Sequence, residues 1–242
     1  GKLYAWGQND DGQLGDGTNN NSPTPVEVAL PAGVQVAAIA TEGFTSLALA
    51  SDGKLYSWGA NYYGQVGDGT NTSSNEPVEV HLPVGVSAPT IAAGYFHNMA
   101  IGSDGKLYAW GSNDYGKLGD GTTNDRNEPV EVQLPAGVTA TAIALGQDQS
   151  LVIGSDGKVY TWGSNDFGEL GNGTYTSANL PQAINLPGGA TPILIGAGTW
   201  NSFALCSNGK LYAWGDNSSG QLGNGADSDA LESSNVPVGV RV

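Results

Sequence analysis

A repeat of 52 residues runs along the whole chain and decides what the chain can fold into. The segment Gly-Lys-Leu-Tyr-Ala-Trp-Gly at residues 1–7 recurs, with small changes, at residues 53–59, 105–111, 157–163 and 209–215. A second block, Gln-Leu-Gly-Asp-Gly at residues 13–17, keeps the same distance from each copy. Tandem units of this kind bury their apolar faces against their neighbours. We therefore treat residues 1–242 as a single repeat domain, with repeats 1–52, 53–104, 105–156, 157–208 and the partial repeat 209–242.

Each repeat is predicted to contain four short strands, which we name A to D. Asp104-Gly105 marks the turn between strands B and C, because such pairs adopt the positive φ angles of tight hairpins. Around this turn the predicted strands are A at 88–94, B at 98–102, C at 106–111 and D at 129–134, with Pro129 at the start of D. Four-stranded tandem units are typical of β-propeller blades, and a solenoid is the alternative. Because the chain begins in strand C, we expect an all-β, incomplete propeller with four full blades plus a half blade.

The charge of the chain excludes several classes of partner. It contains 8 Lys and Arg against 23 Asp and Glu, a net charge of −15 at pH 7. Nucleic-acid binding depends on Lys and Arg that neutralise phosphates, so we expect no nucleic-acid partner. The sequence has no apolar run of the ~18 residues that a membrane span needs, so we expect no membrane insertion. The single cysteine, Cys206, cannot form an internal disulfide.

A longer pattern begins at Leu3 and reads Leu-Tyr-Ala-Trp-Gly-x-Asn-x-x-Gly-x-Leu-Gly-Asp-Gly-Thr. It is followed by Pro-Val-x-Val, Ile-Ala-x-Gly and Ser-Asp-Gly segments. Along essentially the whole chain this pattern resembles the repeat of the regulator of chromosome condensation family. The resemblance implies a seven-bladed propeller in complete members, whereas this chain holds about 4.7 repeats of 52 residues. We expect either a piece of a longer product or an open arc that covers its exposed edges by self-association.

The resemblance also carries expectations about function. The founding member of the family is a nuclear exchange factor for a small GTPase and binds chromatin through basic segments. This acidic chain has no basic segment, so we carry over neither activity. The ultraviolet-B photoreceptor of the family uses packed surface tryptophans, and only Trp200 here lies outside the strand C pattern. A similar scaffold in a secreted bacterial β-lactamase inhibitor implies that loops alone can bind another protein.

Five of the six tryptophans recur at one position of strand C. A ring of this size is expected to fill the space between adjacent blades and to bury about 200 Å². These five structural residues are Trp6, Trp58, Trp110, Trp162 and Trp214.

The variable loops form the candidate binding surface. Because strands alternate in direction, the A–B and C–D loops leave a blade on one face, and the B–C turns with their lysines on the other. The loop face combines aromatic and acidic residues, as protein or carbohydrate recognition does, although the rings could instead fold down and cap the blades. The candidate partner-binding residues are Tyr62, Tyr63, Tyr115, Phe167, Trp200, Asp114, Asp10 and Asp11. An acidic rim is expected at Asp16, Asp68, Asp120, Asp125, Asp227 and Asp229.

Nothing in the sequence predicts a catalytic group, a metal site or a cofactor. Asp10 and Asp11 are paired by proximity only. The acid at Asp16 is replaced by Asn172 in the fourth copy, which suits a turn-forming role that either side chain can fill. The histidines, His81 and His97, lack Cys or His neighbours at metal-ligand spacing.

The function predicted from the sequence is a non-enzymatic scaffold that binds an unidentified protein through the A–B and C–D loops. Two alternatives remain: an extracellular carbohydrate-binding module, and a structural assembly unit joined through open propeller edges. Few lysines and abundant Asn, Thr and Gly favour an extracellular or cell-surface location in a bacterium.

Overall fold

The computed structural model describes residues 1–225 and 232–241, and its sheets are antiparallel. Blade 1 contains β1 (Tyr4–Gly7) and β2 (Ser22–Glu27). Blade 2 contains β3 (Val36–Glu42), β4 (Thr45–Ala50), β5 (Leu55–Gly59) and β6 (Ser74–Glu79). Blade 3 contains β7 (Thr90–Ala93), β8 (His97–Ile101), β9 (Leu107–Gly111) and β10 (Arg126–Glu131). Blade 4 contains β11 (Ala140–Leu145), β12 (Gln149–Gly154), β13 (Val159–Gly163) and β14 (Ala178–Ile184). Blade 5 contains β15 (Pro192–Ala197), β16 (Asn201–Cys206), β17 (Leu211–Gly215) and β18 (Ser234–Gly239).

The predicted half blade and four full blades are confirmed, and strands A to D of each full blade are neighbours in that order. Two single-turn 3-10 helices, Asp114–Gly116 and Pro187–Gly189, lie in loops. No helix among the described residues is long and apolar enough to cross a membrane.

Strand D begins earlier than predicted. In blade 3 it covers Arg126–Glu131, whereas the sequence placed its start at Pro129. The pairing with β9 shifts register between Arg126 and Val130, and Pro129 lies in that irregular stretch. Strand D is the outer edge of the blade, where a residue without an N–H breaks no ladder on its free side.

The chain divides into two compact units by its contacts. Unit 1 contains Gly1–Asn113 and Asn124–Glu131, and unit 2 contains Asp114–Thr123 and Val132–Val242. In unit 1, Trp110 of blade 3 shares a buried cluster with blade 2 residues Leu47, Leu55 and Val80. In unit 2, Trp214 of blade 5 shares one with blade 4 residues Leu151, Val159 and Ile184. The grouping of residues 1–242 as one repeat domain stays a prediction.

Four of the recurring tryptophans are buried, and each donates its indole N–H to a backbone carbonyl 45 residues earlier. The donor–acceptor pairs are Trp58–Gln13 at 2.9 Å, and Trp110–Gln65, Trp162–Lys117 and Trp214–Glu169 at 2.8 Å. Each acceptor belongs to the C–D loop of the preceding blade, so the indole ties that loop to the next blade.

Trp6 departs from the expected burial, because its side chain is 64% exposed. The same strand sequence therefore does not by itself bury the ring, and the four buried indoles each contact the C–D loop of the blade before them.

Candidate functional site

The C–D loops are built around a buried asparagine. In the first loop Asn9 accepts the Leu14 N–H on Oδ1 at 2.8 Å and donates from Nδ2 to the Thr18 carbonyl at 2.9 Å. Asp16 Oδ1 accepts the backbone N–H of Thr18 at 3.0 Å and its hydroxyl at 2.8 Å. Asn172 Oδ1 makes the same two bonds to Thr174. The predicted turn-forming role of this position is therefore confirmed, and the carboxylate of Asp16 is part of the loop scaffold.

The C–D loops of blades 1 to 4 also rest on strand D of the next blade. Asn127 donates from Nδ2 to the Gly69 carbonyl at 2.9 Å, and the Gly69 N–H donates to the Asn127 carbonyl at 2.8 Å. A Cβ atom at Gly64 would collide with the Cα of Asn127. The glycines thus permit a close approach that holds the loop and fixes the side chains it presents.

The A–B and C–D loops of unit 1 meet in a group of four rings, Phe44, Tyr63, Tyr95 and Phe96, which we name the aromatic cluster. Tyr63 of the C–D loop of blade 2 packs edge-on against Phe96 of the A–B loop of blade 3, with ring centroids 5.8 Å apart. Phe96 also packs against Tyr95 at 4.6 Å and Phe44 at 6.4 Å. Tyr63 is 39% exposed, and the other three rings are half-buried. Tyr95 was not singled out by the sequence, although it adjoins Phe96 in the same loop.

Tyr62 lies next to the aromatic cluster in sequence but is not part of it. Its ring is 64% exposed, and its hydroxyl donates to Asp11 Oδ1 in the loop of blade 1. This hydrogen bond, with the charge of Asp11, raises the pKa of the Tyr62 hydroxyl above its usual value. Asp10, also exposed, accepts a hydrogen bond from Gln8 at 2.8 Å. The structure therefore brings Tyr62 and Asp11 together, and their side chains join the C–D loops of blades 1 and 2.

In unit 2 a second pair of rings, which we name the aromatic pair, joins Phe167 to Trp200. Their centroids are 5.3 Å apart with planes tilted by 31°, and the side chains are 38% and 42% exposed. The backbone N–H of Phe167 donates to Glu169 Oε2 at 2.8 Å. Glu169 is fully buried and its Oε1 accepts from the Ser164 hydroxyl at 2.9 Å. Burial raises the pKa of the Glu169 carboxyl above its usual value.

The C–D loop of blade 3 differs from the others. Lys117 occupies the place of Glu169, and its Nζ lies 2.6 Å from Asp148 Oδ1 in the A–B loop of blade 4. The Lys117 side chain is 1% exposed and that of Asp148 is 18% exposed. Asp114 and Tyr115 are exposed in the same loop. This ion pair was not predicted from the sequence, although the sequence carries one signal for it: a lysine where the other four copies carry Gln or Glu.

The lysines of the B–C turns pair with acids on the neighbouring strand D, at the same end of the blade. Lys2 contacts Glu27 at 2.6 Å, and equivalent pairs join Lys54 to Glu79 and Lys106 to Glu131. Strand C has five residues in the full blades, so these charges lie roughly 16 Å from the loop face. In the described A–B and C–D loops the only Lys or Arg is Lys117, which is already paired. The loop face is consequently acidic.

The remaining candidates give no reactive arrangement. Within the described ranges no group of three or more His, Cys, Asp or Glu residues could hold a metal ion. Cys206 is buried, and burial raises the pKa of its thiol. Asp227 and Asp229, predicted for the acidic rim, lie outside the described residues.

Comparison with known proteins places this architecture in a family. The RCC1-like domain family matches residues 1–241. The human E3 ubiquitin-protein ligase HERC2 is 34% identical over 227 residues, which are 93% of this chain and 5% of the ligase. The ultraviolet-B receptor UVR8 of Arabidopsis thaliana is 33% identical over 240 residues, which are 99% of this chain and 54% of the receptor.

Solved structures share the fold. The crystal structure of human WBSCR16 matches with a TM-score of 0.85 and 26% identity, over 99% of this chain and 62% of that one. Prp20p of Saccharomyces cerevisiae matches with a TM-score of 0.84 and 24% identity, over 100% of this chain and 59% of that one. This chain thus spans less than two thirds of each of these relatives. With blades, recurring indoles and a family match along residues 1–241, the chain belongs to the RCC1-like domain family.

Proposed function

We propose that this chain is a non-enzymatic scaffold that binds a protein partner on the face formed by its A–B and C–D loops. The observation that carries the proposal is that rings from two different loops pack together and stay partly exposed: Tyr63 packs against the half-buried Phe96, and Phe167 against Trp200. Aromatic side chains contribute most of the binding energy in many protein interfaces. Loops already held by hydrogen bonds lose little conformational entropy on binding.

Charge indicates what kind of protein surface fits this face. The chain carries a net charge of −15, and its B–C lysines lie at the far end of strand C, paired with acids. Complementary charge speeds association and disfavours acidic partners. We therefore expect a partner surface that is basic around an apolar centre, and an association rate that falls as salt is added.

The relatives support a binding role. The crystal structure of Prp20p was described together with its binding to Gsp1p and histones, which are proteins. HERC2 is named as a ubiquitin ligase, but this chain matches only 5% of it, so we attribute no ligase activity to this chain.

Photo-crosslinking tests the proposal directly. A photoreactive phenylalanine analogue replaces Tyr62, Tyr115 or Phe167 on the loop face, or Val84, a fully exposed residue of the loop between blades 2 and 3 on the other face. We expect the three loop-face positions to crosslink to one protein and the Val84 position to give no crosslink to it. Equal crosslinking from Val84, or none from any position, contradicts the proposal.

A carbohydrate-binding module is the second candidate, because the aromatic pair offers two neighbouring exposed rings on which a sugar could stack. A glycan array separates the two functions. Binding of a neutral oligosaccharide that Trp200→Ala abolishes would favour the module over the protein scaffold.

Self-association is the third candidate, and exposed apolar side chains of unit 1 favour it. Tyr4, Trp6 and Ile39 are 48%, 64% and 57% exposed. Sedimentation over a range of concentrations tests it: a monomer at every concentration argues against assembly, whereas a dimer that Trp6→Ser dissociates supports it. We further propose, from composition alone, an extracellular or bacterial cell-surface location, which fractionation of the source cells would test.

A further inference from the structure

Four of the five C–D loops share one hydrogen bond that fixes the direction of the loop backbone. The side chain at the first position of the Gln-Leu-Gly block accepts the N–H of the residue two positions earlier. These bonds run from Asp11 to Gln13 at 2.9 Å, Tyr63 to Gln65 at 2.8 Å, Phe167 to Glu169 at 2.8 Å and Ser219 to Gln221 at 2.7 Å. The chemistry requires an acceptor oxygen, which Gln and Glu both supply.

The third loop cannot form this bond, because an ammonium group has donors and no acceptor. Lys117 instead extends to Asp148 in the next A–B loop, where Nζ and Oδ1 are 2.6 Å apart. The positions equivalent to Asp148 in blades 2, 3 and 5 hold Phe44, Phe96 and Trp200. In blades 2 and 4, the aromatic residue of the C–D loop has an acceptor side chain in its own loop and a supporting ring in the next A–B loop. In the third loop, Lys117 takes the position of the acceptor and Asp148 takes the position of the ring.

Tyr115, in the same loop as Lys117, departs from its equivalents in the other loops. It has a φ of 60° and is the only residue other than glycine with a positive φ in the described part of the chain. Side chains rarely adopt this region, because the Cβ atom lies too close to the following carbonyl oxygen, so the surrounding loop must impose the conformation. The change in φ redirects the Cα–Cβ bond. Tyr115 is 48% exposed and makes no ring contact among the described residues, whereas Tyr63 and Phe167 each pack on a ring.

We propose that Lys117 is a specificity-determining positioning residue: by binding Asp148 it turns Tyr115 out of the shared loop conformation and presents it as a single unstacked ring. This inference rests on the proposed protein-binding function, and it assigns the third loop a different task from its neighbours. The aromatic cluster and the aromatic pair offer broad surfaces of packed rings, whereas Tyr115 suits insertion into a pocket of a protein partner.

The double variant Lys117→Gln/Asp148→Phe tests the proposal, because it gives blades 3 and 4 the residues that Gln65 and Phe96 supply in unit 1. We expect the N–Hα coupling constant of residue 115 to report a negative φ. Nuclear Overhauser contacts should then appear between Tyr115 and the ring introduced at position 148. Gln65→Glu is the matched control, because it keeps an acceptor and should leave the backbone of Tyr63 unchanged.

The single variant Lys117→Gln keeps the test decisive if the double variant does not fold, because Asp148 is 18% exposed and can be hydrated. A positive φ at residue 115 in a folded variant with Gln at position 117 would overturn the proposal. With the protein identified by crosslinking, the double variant should lose at least tenfold in affinity, as Tyr115→Ala should. Unchanged affinity in both overturns the specificity role, whereas the coupling constant decides the positioning role even if no partner is found.

Discussion

Trp110 donates its indole N–H to the backbone carbonyl of Gln65 over 2.8 Å, and Asn98 Nδ2 donates to the same oxygen at the same distance. In the other full blades the second donor is a serine hydroxyl, on Ser46, Ser150 or Ser202. Both donors belong to one blade and the acceptor to the C–D loop of the blade before. The same two-donor junction therefore stabilises the blade contact and fixes the root of the candidate binding loop.

Removing the ring at this junction should destabilise the protein strongly. We expect Trp110→Ala to lower the free energy of unfolding by about 3–5 kcal/mol, because it removes a fully buried indole and leaves a cavity. Urea denaturation followed by circular dichroism measures this. A loss below about 1 kcal/mol would mean that the ring does not support the packing of the blades.

Trp6→Ala is the control for that substitution. It removes the same ring from the same strand position, but Trp6 is 64% exposed. We expect a change within about 0.5 kcal/mol, as for other surface sites. A loss equal to that of Trp110→Ala would show that the strand itself, and not the junction, needs the indole.

Gly64 and Gly85 separate two reasons for a loop glycine. Their φ angles are +83° and +82°, so an alanine at either position pays a similar backbone cost of about 1 kcal/mol. Only at Gly64 would the added Cβ collide with the Cα of Asn127. We expect Gly64→Ala to cost about 1–3 kcal/mol more than Gly85→Ala, measured by thermal unfolding. Equal losses would indicate that the loop can move away from strand D.

The ion pair between Lys117 and Asp148 should show strong coupling. Asp148→Ala removes the carboxylate that lies 2.6 Å from an ammonium group that is 1% exposed, so we expect a loss of about 3–5 kcal/mol. Adding Lys117→Gln removes the buried charge, and the double variant should be more stable than Asp148→Ala alone. A double-mutant cycle by urea denaturation measures the coupling. Additive losses would mean that the two charges do not stabilise each other.

Most of the fold was predictable from the repeat. The Asp104-Gly105 turn and the alternating strand that ends at Trp110 depend on local sequence, and the copies repeat that information in register. The start of strand D was not predictable, because the irregular pairing from Arg126 to Val130 allows Pro129 inside the strand. Residue type at the loop positions identified the aromatic residues, but not which rings touch.

The features that the sequence did not predict depend on contacts between blades. Lys117 and Asp148 are 31 residues apart, and nothing local to either residue predicts their pairing. Trp6 has the same local sequence as Trp110, yet Trp6 is 64% exposed, whereas Trp110 is buried against residues of blade 2. Contacts of this kind follow from the stacking of repeats and can be anticipated by comparing equivalent positions, where an unusual residue marks an unusual contact.

Glu169 should make stability depend on pH, because burial raises the pKa of its carboxyl in the folded protein. Between the usual pKa of a glutamate and this raised value, the folded state binds more protons than the unfolded state. The free energy of unfolding therefore falls as pH rises through that interval.

Replacing Glu169 with Gln keeps an acceptor for the Phe167 N–H and removes the buried charge. We expect Glu169→Gln to stabilise the protein at neutral pH and to have little effect near about pH 4, where the carboxyl is largely protonated in both states. Gln65→Glu is the reciprocal control, since Gln65 is 1% exposed and accepts the equivalent bond from Tyr63, and it should destabilise at neutral pH. Thermal unfolding across this pH range measures both variants. If the effect of Glu169→Gln does not change with pH, burial of the Glu169 carboxylate does not destabilise the folded protein.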